Sequence, residues 1–143
     1  MIKQLGIQVG VIGAALVAMT TIGNAQGLDI GKREYENNCA MCHGVSAKGD
    51  GPLAGMIGES IPDLTLIEKS NDGVFPFNQI YNLIDGTQTS GAHGTRDMPA
   101  WGLEYSAEAP QWCGEFGNTA DMQSFVRGRI LALIGYIHSL QVN

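Results

Sequence analysis

Cys39-Ala40-Met41-Cys42-His43 is the stretch on which the reading of this chain turns. Two cysteines three residues apart fall about one helical turn from each other, and a histidine follows at once. Three chemistries use such a pair. A thioredoxin-like dithiol needs a βαβ setting, and no strand pair stands out in the flanking sequence. A zinc site needs further Cys or His at paired spacing, and only His93, Cys113 and His138 remain, widely scattered. The third is covalent haem attachment, for which C-x-x-C-H is the signature. Two thiols one turn apart reach two vinyl groups on one porphyrin edge, and His43 then lies beneath the iron as a nitrogen ligand.

The surrounding composition agrees with an exported, cofactor-dependent domain. The chain has 143 residues, 44% hydrophobic and 15% charged, with 20 glycines. That is one domain, too apolar for a disordered tail. Eight Lys+Arg against 14 Asp+Glu give a net charge of −6 and disfavour nucleic acid as a partner. Residues 1–25 read as a signal peptide: Lys3, an apolar run from Leu5 to Met19, and Gly23-Asn24-Ala25 as small residues at the exit. The competing reading is a retained anchor in the inner membrane, since Leu5 to Ile22 spans 18 residues. Gln8, Thr20, Thr21 and the glycines weaken it. Both readings place the domain, residues 26–143, outside the cytoplasm and predict a periplasmic protein. Cleavage after Ala25 leaves 118 residues.

Along that domain the pattern is all-α. Asp29 is the expected cap of a first helix toward Cys42, with Ile30 and Tyr35 among its apolar contacts. Residues 44–71 contain Gly49, Gly51, Gly55 and Gly58 with Pro52 and Pro62, and read as loop with short helical turns. Phe77, Ile80, Tyr81 and Ile84 recur at helical spacing, so Pro76–Asp85 is a helix stopped by Gly86. Residues 103–118 have no clean period. Thr119 is the expected N-cap of a long last helix whose apolar face runs from Met122 through Phe125, Val126, Ile130, Leu133, Ile134 and Ile137 to Leu140. Three helices and long loops bury little apolar area, so a large apolar cofactor is expected to complete the core.

The ordered motifs resemble the small class I c-type cytochromes, the single-haem electron carriers of bacterial periplasms. The resemblance covers Leu28 to the C-terminus and implies the cytochrome c fold, with N- and C-terminal helices crossing beside a covalently bound haem. Gly31 and Tyr35 match the first helix at that crossing, and Gly135-Tyr136-Ile137 the last. Gly49-Asp50-Gly51-Pro52 resembles the loop whose proline carbonyl accepts a hydrogen bond from the haem-ligating histidine, which implies that Pro52 orients His43. A plain turn is the bland alternative for Pro52.

The sixth ligand is expected from the methionines after residue 25. Met41 lies inside the attachment motif, Met122 on the last helix, and Met56 too close in sequence to His43. Met98, in Asp97-Met98-Pro99 and 55 residues beyond His43, matches the family's ligand position. A thioether favours ferrous iron and raises the potential. Its rival is His93, five residues earlier, which would give a lower potential. Trp101 is expected in the haem pocket or in ordinary core packing. His138 receives no role.

Ligands on both faces leave no open iron position, so the expected function is electron transfer with no catalysis of its own. The expected partners are redox proteins such as a dehydrogenase, a reductase or a terminal oxidase. A dedicated cytochrome subunit of a dehydrogenase or reductase complex is the alternative, with residues 104–118 as its docking segment. A haem sensor, which needs an open sixth position, is a third. Cys113 has no partner once Cys39 and Cys42 are consumed. It is read as a small buried hydrophobe, against an intermolecular disulfide.

Overall fold

The protein, as a computed structural model, is described over residues 22–57, 60–87 and 98–142. Its elements are α1 (Ile22–Asn38), the single turn α2 (Ala40–His43), α3 (Phe77–Asp85), α4 (Trp101–Cys113) and α5 (Thr119–Ser139), with 3₁₀ turns at Ala54–Met56, Leu64–Leu66 and Lys69–Asn71. Among the described residues there are no strands, and the all-α expectation stands.

α5 sets the frame. Val126, Ile130, Leu133, Ile134 and Ile137 are buried at helical spacing, so one face of this helix is core for about three turns, with Met122, Phe125 and Leu140 half-buried at its two ends. Its N-cap is Asn118, one residue before the expected Thr119. The Asn118 side chain accepts from the N–H of Ala120 and Asp121, and the Asp121 carboxylate accepts from Asn118 N–H, a closed capping box. α1 crosses α5 where Gly31 meets it: a Cβ at Gly31 would lie 2.0 Å from the carbonyl oxygen of Ala132. That absent side chain lets the backbones touch, and Tyr35 then packs its ring 5.4 Å from that of Tyr136. α1 begins at Ile22, so Asp29 lies within the helix and does not cap it. Ile30, expected in the interior, is 40% exposed.

The middle helix matches its expectation, with Gly86 in the left-handed region donating its N–H to the Asn82 carbonyl. Only Ile84 of its apolar residues is fully buried, and Phe77 is 44% exposed.

α4 is the element the sequence concealed. Gly102, Tyr105 and Ala109 form a buried stripe against α5, but the stripe is made of a glycine, a tyrosine and an alanine, and Pro110 interrupts the pattern. Pro110 has no N–H to give the preceding turn, and the helix ends three residues later at Cys113. Gly102 packs against α3, since a Cβ there would lie 2.6 Å from the Asp85 carbonyl.

One polar cluster ties α1, α4 and α5. Arg129 donates from Nε to Glu34 Oε1 at 3.0 Å and from Nη2 to Glu34 Oε2 at 2.7 Å, and its Nη1 donates to Glu108. Its guanidinium lies 4.2 Å above the Tyr105 ring. The C-terminal end is sewn to the loop by Gln141, which accepts from Glu68 N–H and donates to the Leu64 carbonyl, and by Val142 N–H on the Thr65 carbonyl.

Candidate functional site

Helical geometry places Cys39, Cys42 and His43 on one turn at the end of α1. Cys39 N–H bonds the Tyr35 carbonyl at 2.9 Å, and the amides of Cys42 and His43 both reach the Cys39 carbonyl, at 3.1 and 2.8 Å. Tyr35, fully buried, donates its O–H to the Gly44 carbonyl at 2.6 Å and so locks the exit of the turn to α1. Burial raises the Tyr35 pKa well above the ordinary phenol range, so this donor keeps its proton.

A turn of four residues leaves its carbonyls without helical partners. The loop after it supplies them: Gly49 N–H bonds the His43 carbonyl at 2.8 Å, Gly51 N–H that of Cys42 at 3.2 Å, and Leu53 N–H that of Met41 at 2.9 Å. A side chain at Gly51 would meet the Met41 carbonyl oxygen at 2.4 Å, so the loop approaches this closely only as glycine. This explains Gly49-Asp50-Gly51 but not a role for Pro52 on the histidine. Pro52 is exposed. The carbonyl that acts on the His43 ring belongs to Pro62, ten residues further along the same loop. The correction has a physical cause. Leu64 N–H is anchored on the Ala47 carbonyl at 2.7 Å, and Gly49 lies directly against the Ile61 carbonyl. Residues 61–64 therefore fold back over the attachment turn, while Pro52 rides on its outer side.

The chemistry of the donors fits a haem. His43 is desolvated, which lowers its pKa, and the Pro62 carbonyl offsets that only in part. The ring is therefore neutral at pH 7, the form that offers a lone pair to a metal. Its Nδ1 is buried and has no hydrogen-bond partner among the described residues. Burial, with Glu34 and Cys42 nearby, pushes the Cys39 thiol up to about 12. It is a protonated, buried thiol with none of the thiolate character of a redox dithiol or a zinc ligand. All three cysteines are free, and among the described residues no cluster of three or more His, Cys, Asp or Glu is arranged around a metal ion.

Met98 and Trp101 lie half-buried against the same apolar cluster that contains Cys39 and Ala40, and Trp101 sits 6.0 Å from the Tyr105 ring. The rival His93 and residues 1–21 of the expected signal segment lie outside the described residues. His138 bonds Glu68 at 2.8 Å and packs its ring at a tilt against that of Phe75, a structural placement. Cys113 is half-buried at the end of α4, against Gly117, and the full burial expected of it does not occur. Two residues escaped the sequence reading. Pro62 was signalled only by Asp63, whose carboxylate caps the next turn by accepting from Thr65, and Tyr105 by nothing short of the α4 stripe. Among the described residues, no helix is long and apolar enough to cross a membrane.

The family model of cytochrome c oxidase, cbb3-type, subunit III matches residues 26–116, well over half the chain. Neither a curated protein nor a solved structure matches.

Proposed function

This chain belongs to the cytochrome c oxidase, cbb3-type, subunit III family of c-type cytochromes, and we propose that it is a periplasmic carrier of single electrons with one covalently attached haem c. Membership makes it a haem-containing electron-transfer protein; the attachment, ligands and compartment are our reading. Cys39 and Cys42 would hold the haem through thioether bonds, and His43 and Met98 would ligate its iron. When bound, the haem iron supplies the one-electron couple. The protein's own part is to present His43 neutral, to steer its ring with the Pro62 carbonyl, and to keep water from Cys39 and the adjoining core.

The observation that carries the proposal is the attachment turn: Cys39, Cys42 and a neutral, incompletely bonded His43 on one helical turn whose carbonyls the following loop has already satisfied. The test is acid-acetone extraction of the purified protein with a mass measurement. Colour that stays with the polypeptide and a mass increased by one haem are expected. Extractable haem, or none, refutes the proposal.

A lasting place in a larger redox complex is a second reading, favoured by the family's description as an oxidase subunit. Sedimentation of the native protein in mild detergent separates the two, because a carrier runs alone.

A further inference from the structure

The turn between α4 and α5 presents aromatic surface that no described residue covers. Phe116 is 96% exposed and Trp112 71%. Trp112 lies with its ring stacked 6.1 Å from the half-buried Phe125, which supports it from below. The turn is built, not loose: Gly114 N–H closes on the Pro110 carbonyl, Gly117 N–H on the Gly114 carbonyl, Gly117 packs against Cys113, and the Asn118–Asp121 box fixes the entry to α5. A phenylalanine held in water by an ordered turn forfeits the burial that would stabilise the free protein. Exposed aromatic surface with a polar rim is the mark of an interaction site.

The charge around it selects the partner. From residue 98 to residue 126 the chain has Glu104, Glu108, Glu115 and Asp121 and no lysine or arginine. On the C-terminal side the next two cations point away from the rim: Arg129 is engaged by Glu34 and Glu108, and Arg127 lies with Phe77 and Tyr81 on the α3 side. An anionic lipid surface or a second copy of this acidic chain is repelled. The helix carrying the patch also abuts the attachment turn, since the Tyr105 hydroxyl lies 3.5 Å from Asn38 Nδ2, next to Cys39.

We infer that Trp112 and Phe116 form the centre of a docking surface for a redox-partner protein whose contact face is an apolar pocket rimmed by lysine or arginine. The inference rests on the electron-carrier reading above. It is tested with holoprotein and the membranes plus soluble extract of the producing cells, following haem absorbance by stopped flow. Phe116→Ser removes an uncovered side chain and leaves the fold intact; it lowers the bimolecular electron-transfer rate at least fivefold. Glu115→Lys lowers it by a similar factor at low salt and converges on wild type at high salt. Both variants react at the wild-type rate with a small neutral quinone. Wild-type rates with the extract for both variants overturn the docking surface and leave the carrier reading standing. Wild-type protein that exchanges no electrons with the extract overturns the carrier reading and this inference with it. A dimer in sedimentation velocity that Phe116→Ser dissociates, with rates unchanged, assigns the patch to a second copy and overturns the inference.

Discussion

Arg129→Met is the substitution with the largest expected effect away from the attachment turn. Arg129 and Glu34 are 18% and 12% exposed at their side chains, and the pair is bidentate. Removing the guanidinium leaves the Glu34 carboxylate nearly enclosed, with Asn38 Nδ2 at 3.1 Å as its remaining amide donor. Breaking a fully buried pair by deleting one partner costs about 3–5 kcal/mol. Residual solvation reduces that here, and the bond to Glu108 adds less than about 1 kcal/mol because Glu108 is 46% exposed. Methionine replaces the contact over the Tyr105 ring but not its cation–π part, about 0.5–2 kcal/mol. The net loss is about 2–4 kcal/mol.

For a domain of this size that is a fall in Tm of about 8–16 °C. Thermal unfolding of the holoprotein by circular dichroism measures it. The double variant Arg129→Met/Glu34→Gln recovers part of the loss, because no charge is left enclosed without a partner. A Tm within about 2 °C of wild type for Arg129→Met, or strict additivity in the double variant, would refute the view that this cluster ties α1, α4 and α5.

The other expected outcomes are of several kinds. Gly31→Ala places a Cβ on the Ala132 carbonyl and forces the α1–α5 crossing apart; a loss of about 1–3 kcal/mol in urea unfolding is expected, and none would contradict the crossing. Gly49→Ala, at φ +76° and against the Ile61 carbonyl, displaces residues 61–62 and shifts the His43 ring proton resonances, whereas Pro52→Ala leaves them in place. Met98→Ala opens the reduced protein to carbon monoxide and lowers the reduction potential; a wild-type response to carbon monoxide would remove Met98 as ligand. Asp63 is held below its ordinary carboxylate value by the Thr65 hydroxyl and amide. A depressed folded-state pKa contributes stability above about pH 4 that is lost as the pH falls through the lowered value, so Asp63→Asn flattens the acid limb of stability against pH.

Which parts of this molecule could be read before folding depends on whether the signal is local. The attachment turn is a five-residue pattern, and α5 buries the branched side chains of Val126, Ile130, Leu133, Ile134 and Ile137 at helical spacing, so both were legible. Gly31 was legible through the crossing it permits, by resemblance to a family in which that crossing recurs. α4 was hidden because its buried stripe uses Gly102 and Ala109, which contribute little hydrophobic signal, and because Pro110 argues against helix where the helix is already about to end. The choice between Pro52 and Pro62 was of another kind. Both stand in one glycine-rich loop, either spacing from His43 can be spanned by extended chain, and no local pattern distinguishes them. What decides is that Ala47 offers its carbonyl to Leu64 and that Gly49 yields its side-chain volume to Ile61. Those contacts join residues more than ten positions apart and exist only once the loop has closed over the turn. The resemblance implies a proline carbonyl beside His43, and the closure of this particular loop brings that of Pro62, rather than that of the exposed Pro52, to act on the ring.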